Sequence, residues 1–260
     1  MISVIIPTYK EPNYLDLCLQ SAINNQNEKN EIIVVIDGFY DLNKHILDKY
    51  KDNINILDLG TNQGLSVATN WGVYNASSDY VLIVNDDNIF PKNWDFELKK
   101  DLKKGIVLSP NQIEPKPSIF KQFIIKNFGY TPKEFNLDFF TQEEINLRQN
   151  KIEPTGNTLP FAMYREDYLA VGGWDIMYPS PHVVDWDFFL KCEYWGLKML
   201  RTYKCNFYHF AGAATRQTPE QSLQSTNKEQ QAHLFFKNKW KQYAQHNPLN
   251  NSKLLKNEKK

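Results

Sequence analysis

The sequence predicts an α/β fold with a mostly parallel central sheet flanked by helices, and three observations predict it. Aliphatic runs such as IIVVI (32–36) and VLIV (81–84) are continuous, which marks strands buried on both faces rather than on one. These runs alternate with segments of helical periodicity, which implies right-handed crossovers between parallel strands. Two of them stop on acids, at Asp37 and at Asp86-Asp87, and open parallel sheets bind their ligands beyond the carboxyl ends of the strands.

Taken in order, SVIIP reads as a first strand, and Asn13 to Asn24 places Leu15, Leu19, Ala22 and Ile23 at helical spacing. EIIVVIDG is a second strand, Leu42 to Tyr50 a helix, NINILDLG a third strand, Ser66 to Asn75 a helix and YVLIVNDD a fourth strand. After about Leu108 the rhythm breaks. Residues 111–153, rich in Pro, Asn, Lys and Phe, read as an excursion covering one face of the sheet, with helical stretches near Ile119 to Phe128 and Gln142 to Gln149. NTLPFAMYR restores a strand, followed by a short helix at Glu166 to Val171 and the turn GGWD. A helix follows at Asp185 to Trp195 and a strand at Lys198 to Tyr203. The tail carries a helix over Asn227 to Tyr243 with Leu234, Phe235, Trp240 and Tyr243 available for one face, then a frayed end at Asn250 to Lys260. The expected organisation is one domain over 1–215, in two fused halves (1–110 and 111–215), with a C-terminal helical tail over 216–260.

With 260 residues, 42% hydrophobic and 14% aromatic, the chain buries a sizeable core. Thirty basic residues balance thirty acidic ones, so no global field draws it to nucleic acid or anionic lipid, and any anion site must be local. Cys18, Cys192 and Cys205 are odd in number and lack metal-ligand spacing, which suits a reducing compartment. The first apolar run is too short for a signal segment and no stretch reaches the roughly twenty apolar residues of a membrane helix. A cytoplasmic protein is expected, with a peripheral membrane contact left open to the C-terminal helix.

The two acids of NDD repel, and neither ionises comfortably beside an apolar core without a counter-charge: solvent, a basic side chain or a metal. The first strand is followed by PTYKEPN, so the glycine loops that cradle dinucleotides or triphosphates are absent. A Mg²⁺ or Mn²⁺ ion on a carboxylate neutralises a diphosphate instead, which makes NDD a metal clip. Each acid also has a structural reading: Asp37 as a turn or helix cap, NDD as a solvated turn before Pro91, Asp187 as a cap of its own helix. His209 reads equally as a satisfied histidine among aromatic neighbours, and His182 with the YPSPH loop as plain surface more readily than as a contact for an acceptor.

In order and spacing, SVIIPTYKE, Asp37-Gly38, NQGLSVATNWG, NDD, VGGWD, VDWDFFLKCEYWG and YHFAG resemble the family 2 glycosyltransferases of the GT-A fold, from Ile2 to about Gly212. The resemblance implies an inverting transferase that moves a sugar from a nucleoside diphosphate donor to a hydroxyl of a glycan or glycoconjugate acceptor with Mn²⁺ or Mg²⁺. It implies a nucleoside pocket lined by Pro7, Thr8, Tyr9 and Glu11, with Asp37 on the base and Asn62 and Gly64 in the loop approaching the nucleotide. By the same resemblance Asp86 faces the ribose, Asp87 ligates the metal, His209 lies near the metal and diphosphate, and Asp185 is the catalytic carboxylate. The chain departs from the family pattern at Ile36, Thr69, Asn85 and Val184, where acids or a basic residue are common; this bears on nucleotide and sugar more than on the reaction.

An imide N–H matches Asp37, so UDP or dTDP donors are expected ahead of GDP or CDP. Asp185 stands at or just before the first turn of its helix, whose dipole is expected to favour the ionised form. Two rivals remain: a nucleotidylyltransferase, which should carry a Gly-rich basic loop where PTYKEPN stands, and an inactive nucleotide-binding or scaffolding protein of the same fold.

Overall fold

The computed structural model describes residues 1–118, 120–154, 156–210 and 219–244. The amino half runs β1 (Ile2–Thr8), α1 (Pro12–Asn24), β2 (Glu31–Ile36), α2 (Tyr40–Tyr50), β3 (Asn55–Asp58), α3 (Leu65–Asn75), β4 (Tyr80–Ile83), β5 (Asn88–Ile89), α4 (Trp94–Lys99) and β6 (Ile106–Glu114). Then come β7 (Ile124–Ile125), α5 (Leu137–Leu147), β8 (Ile152–Glu153), β9 (Phe161–Tyr164), α6 (Arg165–Val171), α7 (Val184–Tyr194), β10 (Lys198–His209) and α8 (Pro219–Ala244).

All the described strands join one sheet in the order β3-β2-β1-β4-β9-β6-β10-β5, with β7 on β6 and β8 on β10. β1 to β4 are mutually parallel, and β6 runs parallel to β10, while β9 is antiparallel to both of its neighbours. Every residue of β1 is buried, as the unbroken aliphatic run requires. Leu15, Leu19 and Ala22 of α1 join Val4, Ile6, Val34 and Phe207 in the core on one face. On the other face Ile5, Val35 and Ile83 pack with Ala68, Phe161, Phe188 and Phe236.

Four expectations are corrected. The stretch near Ile119 to Phe128 is not helical: its described residues form a loop and the short β7, because Ile124 and Ile125 find backbone partners at Ile113 and Glu114. Residue 119 lies outside the described residues. β6 runs on past Pro110 to Glu114, so the sheet crosses the position taken as the boundary between the halves. β10 continues six residues beyond Tyr203, past a register shift between Thr202 and Asn206. The tail helix begins at Pro219, and its inward face is Ser225, Ala232, Phe236 and Trp240, while Leu234 is 61% exposed. With Phe236 and Trp240 turned into the protein, those aromatics are not a membrane face. Among the described residues no helix is long and apolar enough to cross a membrane. Asn250 to Lys260 and Gly212 lie outside the described residues.

The excursion does cover the sheet, since Phe128, Phe135 and Phe140 pack on Tyr208, Ile113 and Ile89. The three cysteines are buried and free.

Gly72 sets the spacing of α3 against the sheet. A Cβ there would lie 2.4 Å from Ile5 Cγ2 and 3.0 Å from Val35 Cγ2, both on stiff β-branched side chains. Overpacking costs about 1–3 kcal/mol, against a helix-propensity gain of about 1 kcal/mol. Gly72→Ala is therefore expected to lower the urea midpoint at unchanged m; a raised midpoint would show that α3 shifts freely.

Candidate functional site at the carboxyl edge of the sheet

β1 and β4 pair in parallel with Ile5 opposite Ile83, and the Val84 amide continues the ladder to the Ile5 carbonyl at 3.1 Å. The end of β1 and the residue after it, Pro7 to Tyr9, therefore stand level with Asn85 to Asp87. Thr8 Oγ1 donates to Asp86 Oδ2 at 2.6 Å. Burial first, and then the neighbouring charge of Asp87, push the Asp86 carboxyl up to about 7.

On the other side of β1, the Asp37 amide donates to the Thr8 carbonyl at 2.9 Å. The Asp37 carboxylate accepts from the amides of Gln63 at 2.5 Å and Gly64 at 3.1 Å. It therefore pins the loop of Asn62 and Gly64 that enters α3. The loop crosses Gly38 so closely that a Cβ there would meet the Asn62 nitrogen at 3.0 Å, and Gly38 itself has φ +86°. Burial raises the Asp37 carboxyl, opposed by the two amides. Tyr9, 38% exposed, meets Phe39 edge to face at 5.1 Å, and Lys10 Nζ lies over both rings. Glu11, half-buried, precedes α1 and its carbonyl accepts from the amides of Tyr14 and Leu15.

Asp87 and His209 meet because β5 pairs antiparallel with β10, setting His209 opposite Asn88. His209 Nε2 is 3.6 Å from Asp87 Oδ2, and Nδ1 is 3.0 Å from Glu114 Oε1. Burial would lower the imidazole pKa, but Asp87 and Glu114 outweigh it and the net shift is upward. Glu114 was not identified from sequence. It ends β6 much as Asp37 follows β2, so a strand-end signal was present, hidden because residues 111–153 read as an excursion from the strand-helix rhythm.

Asp185 is the second residue of α7. The helix is entered through Val183 at φ +54°, a left-handed conformation that a β-branched residue rarely adopts. Phe188 and Phe189, one turn on, pack against Phe161, whose register partner is Ile83 of β4. This stands the first turn of α7 over the end of the strand leading to Asp86-Asp87. Asp185 Oδ1 accepts from the Trp186 amide at 3.0 Å, and among the described residues it has no ion-pair partner. Burial pushes its carboxyl up to about 6, the direction opposite to that expected from the helix dipole. Desolvation outweighs the dipole here. Asp187 is not a cap: it is fully buried and bonded to Tyr178, Trp240 and Lys239. His182 bonds Ser225 of α8 at 3.1 Å instead of forming free surface.

Whether a divalent cation suits this edge is tested by its donors. Among the described residues no group of three or more His, Cys, Asp or Glu is arranged to hold a metal. Asp87 Oδ1, however, is buried without a hydrogen-bond partner, and His209 Nε2 lies beside the same carboxylate with its Nδ1 held by Glu114. One carboxylate and one imidazole fit a hard cation that takes its remaining ligands from water and substrate phosphates. An open cavity of about 610 Å³ lies at the opposite edge, lined by Met1, Glu28, Ser78, Asp79, Tyr80 and Lys99 near the amino ends of β1 and β4. Glu28 there is already paired with the Met1 amino group and with Lys99.

Residues 3–172 match the family model described as Glycosyl transferase family 2. Over 124 residues, 45% of this chain, it is 31% identical to poly-beta-1,6-N-acetyl-D-glucosamine synthase of Staphylococcus aureus (strain MSSA476), of whose length the match spans 30%. Two solved structures share the architecture. S. aureus TarS 1–349 in complex with UDP-GlcNAc gives a TM-score of 0.57 at 17% identity, covering 85% of this chain and 60% of that one. The mannosyltransferase PcManGT from Pyrobaculum calidifontis in complex with GDP-Man and Mn²⁺ gives 0.58 at 16%, covering 84% and 58%. At these identities the likeness is one of fold, and the fold expected from the resemblance is the one found.

A carboxyl raised from an ordinary value near 3.8 to about 6 favours the folded state below the lower figure and loses that contribution as pH rises through the higher one. Asp185→Asn is thus expected to raise thermal stability relative to the native chain at pH 8, with the difference shrinking towards pH 4. A difference in Tm independent of pH would contradict the raised carboxyl.

Proposed function

This chain belongs to glycosyl transferase family 2, and from that premise we propose that it moves a sugar from a nucleoside diphosphate to an acceptor hydroxyl with inversion, Asp185 acting as general base. The observation that carries the proposal is a carboxylate without a described ion-pair partner, standing over the carboxyl end of β4 beside the Asp86-Asp87 edge. A carboxylate whose pKa burial raises to about 6, and which has no ion-pair partner among the described residues, is largely ionised at neutral pH yet basic enough to take a proton in the transition state.

The acceptor oxygen attacks the anomeric carbon while its proton passes to Asp185. The bond from that carbon to the diphosphate breaks, and its electron pair leaves with the nucleoside diphosphate. One displacement inverts the centre, so no second carboxylate nucleophile is needed. Asp87 and His209 would hold Mn²⁺ or Mg²⁺, whose chemistry is Lewis-acid neutralisation of the diphosphate leaving group. Glu114 fixes the ring of His209 so that Nε2 faces Asp87. Asp86, bonded to Thr8, is placed to accept from a ribose hydroxyl, while Pro7, Thr8, Tyr9 and Glu11 border the base.

A carboxylate offers about four lone-pair positions, and among the described residues Asp37 Oδ2 accepts from the Gly64 amide while Oδ1 takes those of Gln63 and Gly64. That supports a uracil or thymine imide N–H there, hence a UDP or dTDP donor. TarS was solved with UDP-GlcNAc and PcManGT with GDP-Man, so the shared fold accommodates either base. The name of the S. aureus synthase, a polymerising enzyme, supports a glycan or glycoconjugate as acceptor.

Asp185→Asn should lower turnover by at least roughly a hundred-fold while leaving nucleotide affinity near native, since it removes only the base. Near-native turnover in that variant would place the base elsewhere. By calorimetry, UDP should bind more tightly than GDP, and its affinity should drop in excess EDTA and in Asp87→Ala. Undiminished UDP affinity under chelation would overturn the cation assignment, and tighter GDP binding the assignment of the base.

A further inference from the structure

We infer that the C-terminal helix α8 is a positioning element for the catalytic turn: Lys239 and Trp240 hold Asp187, and through it orient Asp185. The inference rests on Asp185 being the base and adds residues that lie well outside the 3–172 family match.

Asp187 is fully buried and closes the first turn of α7, its amide donating to the Val183 carbonyl at 3.1 Å. That turn contains Asp185. Asp187 Oδ1 collects the Lys239 ammonium at 2.6 Å, the Trp240 indole N–H at 2.9 Å and the Tyr178 hydroxyl at 3.1 Å. Two of these donors come from α8 and the third from the loop that delivers the chain to Val183. Lys239 also bonds Asp175 Oδ2 at 2.6 Å, at the start of the same loop, while Lys191 lies 3.7 Å from Asp187 Oδ2. Further along α8, Ser225 Oγ meets His182 Nε2 at 3.1 Å, and the Lys228 carbonyl accepts from Ser180 Oγ at 3.2 Å. The loop over 175–183 is therefore fastened at both ends and in its middle to one helix.

The geometry that this fastening holds is not one the local sequence prefers. Val183 sits at φ +54°, disfavoured for a β-branched side chain, and a strained conformation persists only where its surroundings over-determine it. Burial alone does not explain a cluster of this composition, because apolar residues would fill the space without desolvating two carboxylates and two ammonium groups. A charged contact with fixed directions specifies orientation, and the group two residues from its centre is the proposed base.

The test uses full-length variants, with diphosphate release measured on whichever of UDP-N-acetylglucosamine, UDP-glucose or dTDP-glucose the native enzyme turns over. Hydrogen exchange of the peptide over 183–190 is followed in parallel. Lys239→Met and the milder Trp240→Phe, which removes the N–H donor and part of the ring but keeps an aromatic side chain, should each lower kcat, by at least about tenfold for Lys239→Met, with donor KM within about twofold. Exchange should rise in the peptide over 183–190 and stay native in β1 and β4. Lys239→Arg should restore most of the turnover. In Asp185→Asn, adding Lys239→Met should cost no further turnover, because both act through one group. Native kcat and native exchange in Lys239→Met and Trp240→Phe would overturn the inference while leaving the base assignment intact. An active Asp185→Asn variant would instead sink the assignment on which the inference rests. Should Lys239→Met fail to fold, Trp240→Phe with the exchange measurement decides alone.

Discussion

The parallel pairing of β1 with β4 sets the height at which every polar group of the edge stands. With Ile5 opposite Ile83, the chain leaves both strands at the same level, and Thr8 comes within hydrogen-bonding distance of Asp86. Pairing of β1 with β2 in turn puts Asp37 beside Thr8. Strands buried on both faces give these acids nowhere to go but the edge, and each carries compensation suited to its place. Asp37 takes two backbone amides, Asp86 a hydroxyl, and Asp87 a neighbouring imidazole. The upward shifts at Asp37, Asp86 and Asp185 indicate that compensation falls short of full hydration. A site that binds ligands through such groups is less stable than an apolar edge of the same shape.

The amino half was legible because its signal is physical and simple: apolar strands buried on both faces cannot resemble anything else for long. The same logic fails where polar residues are buried in pairs. Asn111, Gln112 and Glu114 interrupt the apolar pattern of β6, yet Gln112 bonds Thr158 and Leu159, and Asn111 bonds Asn206 across to β10. Asn206 is satisfied in turn by Glu144 of α5, itself paired with Arg148. Hydrophobic periodicity sees these residues as loop, whereas they are a network that pins the register after the shift in β10. His209 reaches Asp87 through that register, so its neighbourhood was implied by family resemblance and not by pattern.

The acids of α7 show where local rules stop deciding. Two carboxylates two residues apart cannot point the same way on a helix, and that much follows from spacing. Which one is buried does not. Asp187 takes the inward side because α8, lying across the turn, supplies an ammonium and an indole N–H from far along the chain. A helix dipole at an exposed terminus is worth about 0.3–1 kcal/mol; desolvation of Asp185 overrides it and reverses the sign of the shift.

The overall charge of zero conceals a locally acidic edge. Glu11, Asp37, Asp86, Asp87 and Glu114 cluster there with His209, and Lys10 lies over the rings of Tyr9 and Phe39. A diphosphate approaching such an edge is repelled at short range, since two unit charges 4 Å apart interact by about 1 kcal/mol even in water and more strongly near a protein surface. Two features of the site lower that barrier. Burial and the neighbouring charge of Asp87 raise the Asp86 carboxyl to about 7, which lowers its charge near neutral pH and removes part of the repulsion where a ribose would lie. Asp87 retains a buried oxygen without a hydrogen-bond partner beside an oriented imidazole, a pair of donors matched to a hard cation that arrives with the phosphates. On the proposed function the acidic edge would be a half-built coordination sphere that an anionic ligand completes, and affinity for the nucleotide would then depend on affinity for the cation.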